Sequence, residues 1–184
     1  MGGAGHTHAY CAMGKICAQT LFEQGESAAS AVAKGMVDDN LENIVEANTL
    51  LSGIGFESGG LALAHAIAQS LTAVPVAHDN YLHGEHVAIG TMVQLMMEQH
   101  VDTERVAKFF ARVGLPVHLG QISLSREDQT AMRTIVEATV SWPTSHNMPI
   151  PVNDQSIRSA LVSADELGLS VAASVGDEAY RRLQ

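Results

Sequence analysis

Apolar residues recur at helical spacing along most of this sequence, and no stretch shows the alternation of apolar and polar residues that marks a half-buried β-strand. The pattern predicts an all-α fold, a helical bundle or array of about eight helices. Aromatic residues make up only 4% of the chain and small residues are frequent, so we expect the helices to pack closely. The predicted helices span residues 10–21, 27–34, 39–51, 59–71, 83–99, 103–113, 125–140 and 154–175.

Glycines are predicted to punctuate these helices. Gly25 ends the first helix, Gly53 and Gly55 break the third, and Gly114 ends the sixth. Residues 72–82 contain a proline and several turn-forming residues, and they are predicted to be a loop.

Composition bounds the class of protein. The chain has 184 residues, 46% of them hydrophobic, and residues 1–184 are predicted to form a single domain. The formal net charge of -10 argues against binding to nucleic acid, which needs clustered lysine and arginine. No apolar run is long enough to predict a membrane helix, and the first residues lack a signal-peptide pattern. Cys11 and Cys17 are predicted to be buried free thiols, and the cytoplasm is the expected location.

A glycine-rich turn at residues 53–60 leads into a predicted helix that carries His65, and the next predicted helix begins at His83. Neutral imidazole is a common ligand of Zn²⁺ and Fe²⁺, so these two histidines could share one metal ion. A catalytic zinc site usually takes three protein ligands, and two do not complete it. The alternative is that His65 is a core histidine bonded to a carbonyl and that His83 only starts a surface helix. No local motif joins the two residues, so their spacing leaves both interpretations open.

Three neighbouring side chains are further candidates. His86, one turn after His83, could join it as a ligand, but we predict that His86 faces solvent. Glu57 is predicted to be a helix cap in preference to a general base. His146 lies in a predicted loop that could close over a site. The glycine-rich segments match neither a phosphate-binding loop nor a G-x-G-x-x-G unit in a βαβ setting, and Ser58 is not in a G-x-S-x-G elbow.

Two stretches together resemble the glycerol dehydrogenase family, within the metal-dependent, iron-containing alcohol dehydrogenase superfamily. The first is EANTLLSGIGFESGGLALAHAI at residues 46–67, and the second is HGEHVAIGT at residues 83–91. The GLP run at residues 114–116 and the HNMP run at residues 146–149 fit later helices of that family. The resemblance covers essentially the whole chain and implies the C-terminal helical domain of the family.

The resemblance implies that His65 and His83 are two of three metal ligands, usually for zinc, and that Phe56 lies beside a bound polyol. In the family the metal polarises the substrate hydroxyl, and hydride passes to NAD. The family's N-terminal nucleotide-binding domain and its third ligand, an aspartate, have no counterpart in this sequence. We therefore expect no catalytic or cofactor-binding residue here, and zinc binding that is weak or absent. Any zinc would be completed by water, His78, His146 or a neighbouring chain.

Three hypotheses for function follow from the resemblance. The first is a truncated relative of glycerol dehydrogenase, inactive alone, with NAD acting only in full-length members of the family. The second is a metal-binding or oligomeric interaction module, since the face that normally meets the missing domain would expose apolar residues and favour self-association. The third is one half of a two-chain dehydrogenase. A small polyol is the candidate ligand, and neither nucleic acid nor membrane is an expected partner.

Overall fold

The computed structural model describes residues 8–181, except for the side chains of Tyr10, Phe56, Ser58 and Arg181. Within this range the chain is all-α, as predicted, and contains no strand. Short π-helical (Ala47–Leu51) and 3₁₀ (Leu119–Ile122, Pro143–His146) segments accompany the α-helices. The α-helices are α1 (His8–Ala33), α2 (Asp39–Glu46), α3 (Ser52–Gly59), α4 (Leu63–Leu71), α5 (Pro75–Asn80), α6 (His83–Met97), α7 (Thr103–Val113), α8 (Gln129–Ser141), α9 (Asp154–Val175) and α10 (Glu178–Arg181).

The chain divides into two compact units, one ending at Gly60 and the other beginning at Leu61. In the first unit, α1 packs against α2, the π-helical segment and α3. No large hydrophobic side chain among the described residues of this unit is buried. Its buried hydrophobic residues are all alanines: Ala28, Ala31 and Ala47. That residues 1–184 form a single domain stays a prediction.

Two predicted helix ends in the first unit are wrong. Gly25 lies inside α1, which runs unbroken for 26 residues. The chain also continues helically through Gly53 and Gly55, as the π-helical segment is followed directly by α3. A glycine inside a helix costs only about 1 kcal/mol relative to alanine, and packing against neighbouring elements overrides so small a preference.

The two cysteines of α1 are free thiols, as predicted, but Cys11 is exposed and not buried. Cys17 is partly buried, and its Sγ donates a hydrogen bond to the carbonyl oxygen of Ala47 at 3.6 Å. Burial raises the pKa of the Cys17 thiol. Cys17 therefore acts as a small packing residue between α1 and the π-helical segment.

The second unit is built around α6. This helix packs against α4, α7 and α9, while α8 packs against both α4 and α9. Burying each large apolar side chain in such a core contributes about 1.5–3 kcal/mol, and this packing fixes the helix that begins at His83. The buried cluster includes Leu63, Ile67, Met92, Ile135 and Leu161.

Most predicted boundaries of the second unit are confirmed. The helix α6 begins at His83, and α7 ends at Gly114, whose φ of 89° is readily adopted only by glycine. The predicted last helix matches α9 residue for residue. Residues 72–82 were predicted to be a loop but contain the short α5, with Pro75 in its first turn. No helix among residues 8–181 is long and apolar enough to cross a membrane.

Candidate metal centre

The structure brings the imidazole rings of His65 and His83 together. His65 is the third residue of α4, and His83 is the first residue of α6. Their ring centroids lie 5.8 Å apart, with 50° between the ring planes. Two imidazoles that share one tetrahedral zinc ion, at about 2.0–2.1 Å from each nitrogen, have ring centres roughly 5–6 Å apart. The pair has the spacing that two ligands of one ion require, and its role as a ligand pair stays a prediction.

The surroundings of His65 favour the neutral imidazole, which is the form that binds a metal. His65 is half-buried, whereas His83 is exposed. Burial lowers the pKa of His65 below its usual value, and the nearby His83 lowers that pKa further. Near neutral pH, the ring of His65 therefore keeps a lone pair for a ligand.

Backbone contact between α4 and α6 sets the distance between the two histidines. A Cβ atom at Gly90 would lie 2.1 Å from the carbonyl oxygen of Ala64, the residue before His65. Because no Cβ atom can approach an oxygen so closely, α4 and α6 can cross at this separation only with a glycine at position 90. Gly90 belongs to the HGEHVAIGT run, and its packing role could not be inferred from the sequence.

Two distant side chains hold the start of α4. Oε1 of Gln94, on α6, accepts the backbone N–H of Ala64 at 2.9 Å. Nδ2 of Asn147 donates to the carbonyl oxygen of Leu61 at 2.8 Å. The first N–H groups of a helix have no partner within it, and Ala62 provides no side-chain cap. Gln94 therefore replaces a local cap. Neither side chain was predicted to have this role, and the one signal in the sequence was the place of Asn147 in the HNMP run.

The start of α6 is fixed within its own first turn. Oε2 of Glu85 accepts the backbone N–H of Leu82 at 2.7 Å. A glutamate at this position supplies the reciprocal half of a capping box and satisfies a backbone donor at the helix start. This bond encloses the turn that carries His83.

His86 does not face solvent, contrary to the prediction. Its side chain is 2% exposed, and its Nε2 lies 3.2 Å from the carbonyl oxygen of Ala77 in α5. A carbonyl oxygen only accepts, so Nε2 of His86 donates. Burial is the main reason why the pKa of His86 is lowered. His86 joins α5 to α6, and its Nε2 is already engaged in that contact.

The third ligand is not found among residues 8–181, where no group of three histidine, cysteine, aspartate or glutamate side chains is placed to hold a metal ion. Two side chains predicted as substitutes have other partners. Nδ1 of His78 lies 2.9 Å from a carboxylate oxygen of Asp79. Nε2 of His146 lies 3.0 Å from the carbonyl oxygen of Val140 and donates to it.

Two further predictions concern α3. Glu57 does not cap a helix, because it lies inside α3, and that prediction is wrong. Phe56, the predicted polyol contact, is also in α3, but its side chain lies outside the described part of the chain. Its role stays a prediction.

Known proteins share both the sequence and the fold of this chain, although no protein-family model matches it. The chain is 43% identical over 171 residues to a glycerol dehydrogenase of Escherichia coli O6:H1, and the match covers 91% of this chain and 46% of that protein. Its fold matches the crystal structure of a probable glycerol dehydrogenase from Sinorhizobium meliloti 1021, with a TM-score of 0.84 and 33% identity. That match covers 89% of this chain and 47% of the other. The chain is a relative of the glycerol dehydrogenases.

Proteins similar to this glycerol dehydrogenase relative do not all carry the same name. A glycolaldehyde reductase of Halobacterium salinarum is 41% identical over 162 residues, covering 86% of this chain and 44% of that protein. The chain thus spans less than half the length of the relatives it matches. The names of these relatives describe whole proteins, and this chain matches less than half of each.

Proposed function

We propose that this chain contributes His65 and His83 as two ligands of a divalent metal ion, zinc by preference, in a site of glycerol dehydrogenase type that takes a small polyol. The observation that carries the proposal is the 5.8 Å separation of the two imidazole rings. A lone core histidine and a surface helix start, the alternative for these positions, would have no reason to lie at ligand spacing.

The chain's own part in such a site is to present two imidazoles at a fixed distance. Burial keeps His65 neutral, and the contact between Gly90 and Ala64 holds the two helices at the required separation. A bound zinc ion supplies Lewis acidity, which makes a coordinated hydroxyl group easier to deprotonate. Water or a residue of a neighbouring chain would complete the coordination, since a two-imidazole site is incomplete.

Metal binding tests the proposal directly. Cobalt(II) is titrated into the metal-free 184-residue chain and followed by its visible absorption, and zinc is then measured by competition. We expect weak binding by the wild-type chain, which is lost in His65→Ala and in His83→Ala. His100→Ala is the control, because His100 is an exposed histidine of the link between α6 and α7. Binding that survives both substitutions would contradict the proposal.

We further propose that the 184-residue chain alone has negligible glycerol oxidation with NAD. Its sequence contains no dinucleotide-binding G-x-G-x-x-G unit, and the proposed metal ion has only two candidate ligands among the described residues. The measurement is NADH formation from glycerol in the presence of zinc, beside a full-length glycerol dehydrogenase such as the Escherichia coli relative. A rate comparable with that of the full-length enzyme would overturn this part of the proposal.

Self-association is a second candidate property, favoured by the apolar surface of the first unit. Val32 is 60% exposed, Val37 is 74% exposed and Leu50 is 50% exposed. Several such side chains in one small unit favour association with another surface. Light scattering over a range of concentrations should show assembly that Val37→Lys reduces. Val101→Lys is the matched control, since Val101 is a 93% exposed valine of the second unit. A wild-type chain that stays monomeric at every concentration would refute association.

A further inference from the structure

Tyr180, in α10, is connected through one carboxylate to the start of the helix that carries His83. Tyr180 is only 5% exposed. Its hydroxyl donates to the carbonyl oxygen of Gln121 at 2.5 Å and lies 3.2 Å from Oε1 of Glu85. The other oxygen of that carboxylate, Oε2, accepts the N–H of Leu82. Glu85 therefore bridges Tyr180 and the residue directly before His83.

The Tyr180 hydroxyl acts as a hydrogen-bond donor to both of its partners. A carbonyl oxygen and a carboxylate both accept, so the single hydroxyl proton of Tyr180 serves Gln121 and Glu85 together. Burial raises the pKa of Tyr180, and the charge of Glu85 raises that pKa further. The hydroxyl of Tyr180 is therefore protonated near neutral pH.

A second tyrosine anchors the same end of α6 to the same neighbouring segment. The hydroxyl of Tyr81 lies 2.6 Å from Oγ of Ser123. Ser123 directly follows the 3₁₀ turn Leu119–Ile122, which contains Gln121. The chain around His83 therefore contacts this segment twice. Tyr81, two residues before the histidine, contacts Ser123 directly, and Glu85, two residues after it, is connected to Gln121 through Tyr180.

We propose that Tyr180 is a positioning residue for His83. It holds the Glu85 carboxylate, which closes the first turn of α6 and so fixes where the His83 imidazole lies relative to His65. Removing a residue that orients a metal ligand without binding the metal itself usually lowers the affinity for the metal. The inference rests on the metal site proposed above, and the simpler view is that Tyr180 merely packs α10 onto the unit.

The experiment compares Tyr180→Phe, Glu85→Ala and the double variant with wild type in two measurements. The first, without metal, is the hydrogen exchange rate of the Leu82 amide by NMR, together with the cross-relaxation between the His65 and His83 rings. The second is cobalt(II) affinity. Thr139→Val is the control, because it also removes a buried hydroxyl, one that donates to the carbonyl of Ile135 at 2.7 Å in α8.

We expect Tyr180→Phe to speed exchange at Leu82 and to weaken cobalt binding about threefold to tenfold, less than the 10- to 100-fold typical of groups bonded directly to a ligand. Glu85→Ala should weaken binding more, and the double variant no further than Glu85→Ala, because Tyr180 acts through Glu85. Thr139→Val should lower the free energy of unfolding without changing either measurement.

Two results would overturn the positioning role. One is unchanged Leu82 exchange and cobalt affinity in Tyr180→Phe, and the other is additive losses in the double variant. If the wild-type chain binds no cobalt, the proposed function fails, and the metal-free measurement still decides about Tyr180. Faster hydrogen exchange of the Leu82 amide, together with weaker cross-relaxation between the His65 and His83 rings, in Tyr180→Phe supports the positioning role. Wild-type values of both quantities refute it.

Discussion

Oε1 of Gln94 accepts the backbone N–H of Ala64, so a side chain near the end of α6 completes the first turn of α4. Ala64 immediately precedes His65, while Gln94 shares its helix with His83. The bond therefore links the two helices beside His65, at a point far along α6 from His83. We therefore expect the position of His65 to depend on Gln94, which is not itself a candidate ligand.

Replacing this acceptor should leave the Ala64 N–H without a partner. We expect Gln94→Met, which keeps the length of the side chain, to reduce the free energy of unfolding by about 1–3 kcal/mol, the usual cost of an unsatisfied polar group. Urea unfolding measures the change. Gln69→Met is the control, because Gln69 is an exposed glutamine of α4. Equal stability of the two variants would show that the bond does not stabilise the fold.

A methyl group at position 90 should force α4 and α6 apart. The new Cβ would lie 2.1 Å from the carbonyl oxygen of Ala64, so we expect Gly90→Ala to lose about 1–3 kcal/mol of unfolding free energy or more. NMR cross-relaxation between the His65 and His83 rings should also be weaker in Gly90→Ala than in wild type.

The same substitution elsewhere in α6 provides the control for position 90. A Cβ at Gly84 meets nothing within 4 Å, so Gly84→Ala should be neutral or should stabilise the chain by about 0.4–1 kcal/mol. A Gly90→Ala variant as stable as Gly84→Ala would mean that the two helices can separate without cost. Thermal and urea unfolding of both variants make the comparison.

The core of the second unit depends on side chains of α9. Leu161 is 1% exposed, so Leu161→Ala should cost about 2–5 kcal/mol through lost burial and the cavity left behind. Leu169, on the same helix, is 43% exposed, and Leu169→Ala should cost well under half as much. A similar loss for both variants in urea unfolding would refute the assignment of Leu161 to the core.

Acid should destabilise the fold through the buried His86. Burial lowers the pKa of His86 most strongly, with His83 and His78 acting in the same direction. The carbonyl of Ala77 and the charge of Glu85 act against them. A group whose pKa is lower in the folded state binds its proton preferentially when unfolded. The contribution of His86 is therefore fully present above its ordinary pKa of 6.5 and is lost as the pH falls below that value.

The variant His86→Gln isolates this effect, because the amide can still donate to Ala77 but does not titrate. We expect a shallower loss of stability between about pH 6.5 and pH 5 than in wild type. His100→Gln, at an exposed position, is the control for the histidine-to-glutamine change itself. Chemical unfolding at a series of pH values gives the slopes, and a wild-type slope in His86→Gln would contradict the prediction.

The predicted fold class was confirmed because apolar spacing is a local property of the chain. Glycine punctuation was less informative. Gly114 ended a helix as predicted, because the chain there takes a positive φ, but Gly25, Gly53 and Gly55 lie within helical segments. A sequence does not reveal which glycines need a left-handed backbone, since tertiary packing decides where the chain turns.

The sequence predicted the two histidines of the candidate site but not the residues that hold them in place. The residue pattern made His65 and His83 candidate ligands, the resemblance to a family favoured that role, and the structure places their rings at ligand spacing. The roles of Gln94 and Tyr180 could not be predicted, because both depend on contacts with residues far away in sequence. His86 was misplaced for a related reason: its partner, Ala77, lies in a helix that the sequence did not predict.

The bond from Asn147 to Leu61 joins residues 86 positions apart, and the contact of Tyr180 with Glu85 joins residues 95 positions apart. Such contacts form late in folding, because long loops must close before they can exist. A nascent chain that has passed His83 already contains both histidines but lacks the segments that steady them. We therefore expect the two histidine rings to reach their observed spacing only after the segment that carries Tyr180 has been synthesised.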